Sequence, residues 1–198
     1  MPDNPNPQGK GQLALLQLWE SNRPQRLAVK EARTLLGDYL ASLLVLSAEF
    51  SFKPVAGTPY HLYRRHGRWR LSLVAPSEWT TTDPGVYVGS CSLRTDMTWA
   101  LTPSEDIHHH PHLVADLTAF VRQFVDTLAS RDTLEAGLPF YVSGLPFYQR
   151  LLATGLASSV QKTAQISGLG HKGADFWLGS SGPAPLSLLT RPSDTPPP

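Results

Sequence analysis

A His-Gly pair between two runs of alternating apolar and polar residues, in PYHLYRRHGRWRLSLVAPSEW (Pro59–Trp79), is the strongest constraint on what this chain can fold into, because it directs the chain back on itself as a β-hairpin. With His66 and Gly67 as the central turn residues, the expected cross-strand pairs are Arg65 with Arg68, Arg64 with Trp69, Tyr63 with Arg70, Leu62 with Leu71, His61 with Ser72 and Tyr60 with Leu73. Side chains alternate across a strand, so Tyr60, Leu62, Leu71 and Leu73 are expected on a core-facing side. His61, Tyr63, Arg65, Arg68 and Arg70 are expected on the other. Two arginines directly opposite at the tip repel by roughly 0.2–1 kcal/mol, a cost that an acidic or phosphate partner relieves.

The charge pattern points to the same place. The chain has a formal net charge of only +1, yet no acidic residue stands between Glu49 and Glu78, a stretch that holds Lys53, Arg64, Arg65, Arg68 and Arg70. The working reading is a partner-binding face made of Tyr63, Arg65, Arg68 and Arg70, flanked by Glu78 and Trp79, that engages an acidic protein surface through guanidinium pairing and aromatic area. The bland reading of the same residues is a solvated sheet edge on which arginines discourage strand-to-strand association. Nucleic acid is the second partner class, since aromatics among arginines can stack on bases, but a small net charge argues against the broad basic field of most such proteins.

The segment AEFSFKPVAGTPYHLYRRHGRWRLSLVAPSEW and the Asp-Met-Thr-Trp run after it resemble a family catalogued as a domain of unknown function, found in bacteria and eukaryotes. The resemblance is carried by Phe52-Lys53-Pro54, Gly57, Tyr60, Leu62-Tyr63, Leu71-Ser72, the Ala75-Pro76-x-Glu78-Trp79 box and Trp99, and it spans about residues 48 to 103. It implies a helix followed by a small sheet and supplies no catalytic residues.

Elsewhere the pattern gives an α+β chain: a long helix packed on a three- to four-stranded antiparallel meander, then a helical C-terminal region and a flexible tail. Residues 1–11 read as disordered, and 12–104 as the helix-plus-sheet domain opened by a short helix, Leu13–Glu20. A helix over Gln25–Phe50 follows from the helical spacing of Leu35, Leu36, Tyr39, Leu40, Leu43 and Leu44. Val86–Leu93 reads as a strand with Tyr87, Cys91 and Leu93 on one side, and Met97, Trp99 and Leu101 as a fourth. In the helical region, 105–178, an amphipathic helix over His112–Arg131 starts just after Pro111 and offers a face for self-association. Gly137–Tyr141 recurs as Gly144–Tyr148, read as a turn leading into a helix from Pro146, and the Pro- and Ser-rich stretch 179–198 as a tail.

Composition limits the chemistry. One cysteine, Cys91, excludes an internal disulfide and fits a reducing compartment. No secretory-type apolar run opens the sequence, and its longest apolar run, Leu43–Leu46, is far too short for a bilayer, so the expectation is a cytoplasmic protein without membrane contact. His108-His109-His110-Pro111-His112 after Glu105 and Asp106 can offer ligands to zinc or nickel, with His108 and His112 at helical spacing, but Pro111 places the pair at a helix entrance. No other cofactor is expected. Gly168-x-Gly170-x-x-Gly173 lacks the strand that a dinucleotide loop needs before it, and Ser159-x-x-Lys162 lacks the companion motifs of penicillin-recognising enzymes. A small hydrolase or metal-dependent enzyme using Glu78, His61 or the histidine cluster is the rival class, with Asp96 and Trp99 at the end of a neighbouring strand; none of these has a nucleophile beside it in sequence.

Overall fold

His66 (φ 47°) and Gly67 (φ 74°) both take left-handed backbone angles, the signature of the tight turn whose twist matches a hairpin. A computed structural model describes residues 20, 23–80, 83–134, 136, 138, 145–179 and 189 of the 198-residue chain. The short helix expected over Leu13–Glu20, apart from Glu20 itself, and the N-terminal residues 1–11 lie outside the described residues. Strands β1 (Pro59–Arg65) and β2 (Arg68–Ser72) pair in the expected register, with Tyr63 opposite Arg70 and Arg65 opposite Arg68. β2 stops one residue early: Val74 N–H donates to Ser72 Oγ (3.0 Å), the chain turns away, and Leu73 is 56% exposed instead of facing the core.

Strands β3 (Val86–Leu93) and β4 (Trp99–Pro103) complete a four-stranded antiparallel sheet, so the α+β class holds, but the strand order is 2-1-3-4 and not that of a meander. The free edge of β2 is already occupied. Glu49 N–H donates to the Trp69 carbonyl (2.9 Å) and Leu71 N–H to the Glu49 carbonyl (3.1 Å), so β3 pairs with the other strand of the hairpin. Pairing of β1 with β3 slips between Leu62 and Tyr63: Leu62 faces Gly89 but Tyr63 faces Tyr87, which leaves Val88 as a bulged extra residue. The slip puts Tyr87 on the side opposite Cys91 and Leu93, against the simple alternation expected of the strand. Gly89 is required at the bulge because a Cβ there would run into the Thr102 carbonyl. Met97 belongs to the β3–β4 turn (φ 68°), not to the fourth strand.

Helix α1 is shorter than its apolar periodicity suggests, Ala32–Leu46 rather than Gln25–Phe50. Long-range bonds claim the residues before it: Arg26 has φ 53°, Gln25 N–H donates to the Thr95 carbonyl (2.8 Å), and Lys30 Nζ reaches Asp38 (2.7 Å) and Asp96 (2.9 Å). At its other end the pairing of Glu49 with β2 pulls the chain out of helix. α1 lies on the inner sheet face, where Leu35, Leu36, Leu40 and Leu44 meet Tyr60, Leu62, Leu71, Cys91, Trp99 and Leu101 in one cluster. Each such leucine contributes roughly 1.5–3 kcal/mol by leaving water.

The rest of the chain closes this core. Pro111 sits at the first turn of α2 (Pro111–Ala129), whose stripe of Leu113, Leu117, Val121, Phe124 and Leu128 is turned inward, so the face considered for self-association is covered within the chain. Arg64 stacks over the Trp69 ring (4.2 Å) and pairs with Asp116 of α2 (2.7 Å), tying hairpin to helix. Helix α3 (Phe147–Ile166), capped by Pro146, packs on α1, and its Gln149 Nε2 donates to the Ala48 carbonyl (2.6 Å). Helix α4 (Ala174–Gly179), which the sequence pattern did not suggest, buries Trp177. Of the stretch expected as a tail, Gly179 closes α4 and Leu189 is buried in the same core; its other residues lie outside the described ones. No helix among the described residues is long and apolar enough to cross a membrane.

Candidate functional site

The outer sheet face is built by the alternation of β1 and β2 together with the bulge in β3. Tyr63, Arg65, Arg68 and Arg70 share it as their spacing requires, joined by His61 and, through the bulge, by Tyr87. The connection from β2 to β3 then folds back over part of this face. Trp79 packs edge-on against Tyr63 (6.0 Å, 85°) and its Nε1 donates to Tyr63 Oη (3.1 Å), while Tyr63 Oη donates to the Val74 carbonyl (2.9 Å). Tyr63 is thereby left 1% exposed. It cannot be the contact residue that its place in the strand suggests; it is the floor on which Trp79 rests. Burial raises the Tyr63 pKa, opposed by the Trp79 hydrogen bond and reinforced by the Glu78 charge.

Each arginine has a different setting. Arg68 Nη1 meets Glu49 Oε1 at 2.8 Å, both side chains well exposed, an ion pair of small worth that an incoming partner can displace. Arg70 is exposed, with its guanidinium carbon 6.0 Å from the centre of the Trp79 ring. Arg65 stands opposite Arg68, and its Nε is buried with no hydrogen-bond partner among the described residues. Neither Arg65 nor Arg70 is within ion-pair distance of an acidic side chain among the described residues. A desolvated guanidinium nitrogen without an acceptor is costly.

Glu78 takes the local role. Its Oε2 accepts the Ala75 N–H (2.6 Å) and holds the turn Pro76–Glu78 that presents Trp79. His61 Nδ1 stands 3.5 Å from Tyr87 Oη, at the outer limit of a hydrogen bond. Burial lowers the His61 pKa from 6.5, with the Glu78 charge pulling the other way. Cys91 is buried on the inner face, and burial pushes its thiol pKa up to about 12.

The other candidate residues are dispersed. His108 lies in the turn Glu105–His109 and His112 in the first turn of α2, both exposed, and among the described residues no three His, Cys, Asp or Glu side chains gather around a common point. Among the described residues the pair thus has no third protein ligand of the kind a zinc or nickel site uses. Gly168 (φ 69°) ends α3, with Leu169 N–H returning to the Ala164 carbonyl (2.8 Å), so the Gly168–Gly173 run is a helix stop. Ser159 is buried in α3 while Lys162 is exposed.

Sequence reasoning missed a buried charge network at the far end of the sheet. Asp38 accepts from Lys30 (2.7 Å) and Arg94 (2.7 Å), and Asp96 from Lys30 (2.9 Å) and from Thr98 Oγ1 (2.6 Å) and N–H (2.9 Å). Ser42 Oγ connects it to the sheet by donating to the Asp38 carbonyl (2.6 Å) and accepting the Trp99 N–H (2.8 Å). Burial alone would raise the Asp96 pKa, but the bonds from Lys30 and Thr98 outweigh it and hold the carboxyl below 3.8. Asp96 and Trp99 are thus framework rather than ligand platform, and only the proximity of acidic and basic residues in sequence could have hinted at it.

No solved structure matches the chain. The family described as "Protein of unknown function (DUF2452)" matches residues 25–123, which is 99 of the chain's 198 residues and takes in α1, the whole sheet and the first part of α2. On that match the chain belongs to this family.

Proposed function

We propose that the protein is a binding module that docks an acidic protein segment on the outer face of the β1–β2 hairpin. The observation that carries the reading is that, among the described residues, Arg65 and Arg70 have no acidic partner: Arg65 stands directly opposite Arg68, and Arg70 lies exposed beside Trp79. Arg65, Arg68 and Arg70 make the contact and Trp79 its aromatic flank, while Tyr63 supports the surface from below. An extended acidic segment suits this arrangement, since each carboxylate can take two parallel N–H bonds from one guanidinium.

The test is titration of the full chain with a glutamate-rich decapeptide and, separately, with a single-stranded oligonucleotide, followed by amide NMR at low and high salt. Peptide-induced shifts at Arg65, Arg70 and Trp79 that vanish at high salt are expected. Shifts with the oligonucleotide alone would replace the acidic protein by nucleic acid as partner. Absence of shifts on this face with either ligand would refute the reading.

A further inference from the structure

At the end of the sheet away from the hairpin tip, a cleft of about 240 Å³ opens between Arg23 and Gln25, the loop Lys53–Ala56 and the β3–β4 turn. Three cations line it, Arg23, Lys53 and Arg94, and no acidic side chain among the described residues does. Behind them Asp38 offsets one charge by pairing with Arg94 (2.7 Å), and Asp96 is turned onto Lys30 (2.9 Å) and Thr98. Counting three lining cations against one carboxylate leaves a surplus of two positive charges, carried by Arg23 and Lys53. The remaining wall is apolar, with Val55 exposed and Leu93 and Met97 buried at its base.

The cleft is held open by bonds from every side. Gln25 N–H donates to the Thr95 carbonyl (2.8 Å), Gly57 N–H to the Leu93 carbonyl (2.9 Å) and Val55 N–H to Tyr60 Oη (2.7 Å). Arg94 is oriented by Asp38 and by Thr98 Oγ1 (3.2 Å). Of the non-glycine residues with left-handed backbone among the described ones, Met97 (φ 68°) lines the cleft and Arg26 (φ 53°) follows Gln25. Strain of this kind gathers where a binding geometry is imposed on the chain.

We propose that this cleft binds a small organic phosphate monoester, its phosphate on Arg23, Lys53 and Arg94 and its carbon body against Val55 and Met97. A phosphate monoester carries a charge of about −1.5 to −2 at pH 7, which matches the surplus, whereas a carboxylate matches half of it. The volume lies below the roughly 300–1,000 Å³ of pockets for drug-sized ligands, so the body is no larger than a ring or short chain. The cleft is separate from the hairpin face, and its test is independent of the docking reading.

The full chain is titrated with phenyl phosphate, inorganic phosphate and benzoate by calorimetry and amide NMR, alongside Lys53→Ala and Arg23→Ala. Both substituted side chains are exposed, so unfolding midpoints like that of the unsubstituted chain are expected. Saturable binding of phenyl phosphate is expected, with shifts at Lys53 and Thr95, weaker binding of inorganic phosphate and of benzoate, and about tenfold weakening by each substitution. Absence of saturation, benzoate binding as tight as phenyl phosphate, or affinity unchanged in both variants would overturn the proposal.

Discussion

At the β3–β4 end of the sheet Lys30, Arg94, Asp38 and Asp96 meet in ion pairs of 2.7 to 2.9 Å within a largely buried site, whereas at the hairpin tip Arg65, Arg68 and Arg70 lie on the outer face and, among the described residues, only Arg68 forms an ion pair, with Glu49. In the first every cation meets a carboxylate of the same chain, and the cluster joins the segment before α1, α1 itself and the β3–β4 turn. In the second, two of the three cations, Arg65 and Arg70, have no carboxylate within ion-pair distance among the described residues, and the pair of Arg68 with Glu49 is exposed. Desolvated charge is tolerable only when paired, so the first cluster is part of the framework, and the second is where we propose that charge from outside docks.

Removing the acid at the centre of the matched cluster breaks the comparison most severely. Asp38→Ala leaves Lys30 and Arg94 with one acceptor fewer in a buried site, and a loss of about 3–5 kcal/mol in urea unfolding is expected. A loss below about 1 kcal/mol would mean that the network is not a framework. Trp79→Ala removes one edge-on ring contact and one hydrogen bond from Tyr63; about 2 kcal/mol is the expected loss, with Tyr63 becoming accessible to iodination. If Tyr63 stays protected in that variant, something other than Trp79 covers it.

Acid titration sharpens the contrast. The Asp96 pKa is lower folded than unfolded, so the stability it contributes is complete above about 3.8 and is lost as pH falls through the folded value. Stability of the unsubstituted chain should fall steeply below pH 4, and Asp96→Asn should lower it at pH 7 and flatten that acid limb. An unchanged limb would place the acid sensitivity elsewhere. The smallest effects belong to the tip. Arg68→Ala should stay within about 0.5 kcal/mol, its ion pair with Glu49 being exposed, and Arg65→Ser should be neutral or stabilising by roughly 0.2–1 kcal/mol as the arginine opposition is relieved.

The tip was legible in sequence because its register depends on two adjacent residues. His66 and Gly67 fix the turn, the turn fixes the pairs, and the pairs put Tyr63 and Arg70 side by side. The apolar spacing of α1 and α2 likewise marked their buried stripes. What stayed hidden depends on residues far apart in the chain. The start of α1 is set by Gln25 bonding to Thr95 and Lys30 to Asp96, the face of Tyr87 by a one-residue bulge at Val88, and the burial of Tyr63 by a loop that returns with Trp79. Periodicity registers neither a bulge nor a loop that folds back, so the arginines of the candidate surface were visible and the loss of its tyrosine was not.

The central claim, that the unmatched arginines at the tip serve an external acidic partner, is tested most directly by quantitative pull-down with the full chain and with a variant carrying Arg65→Ser, Arg68→Ser and Arg70→Ser, each at low and high salt. The account predicts an unfolding midpoint like that of the unsubstituted chain and a set of acidic proteins retained at low salt, released at high salt and missing from the variant. Recovery of the same proteins in the same amounts by both chains would contradict it.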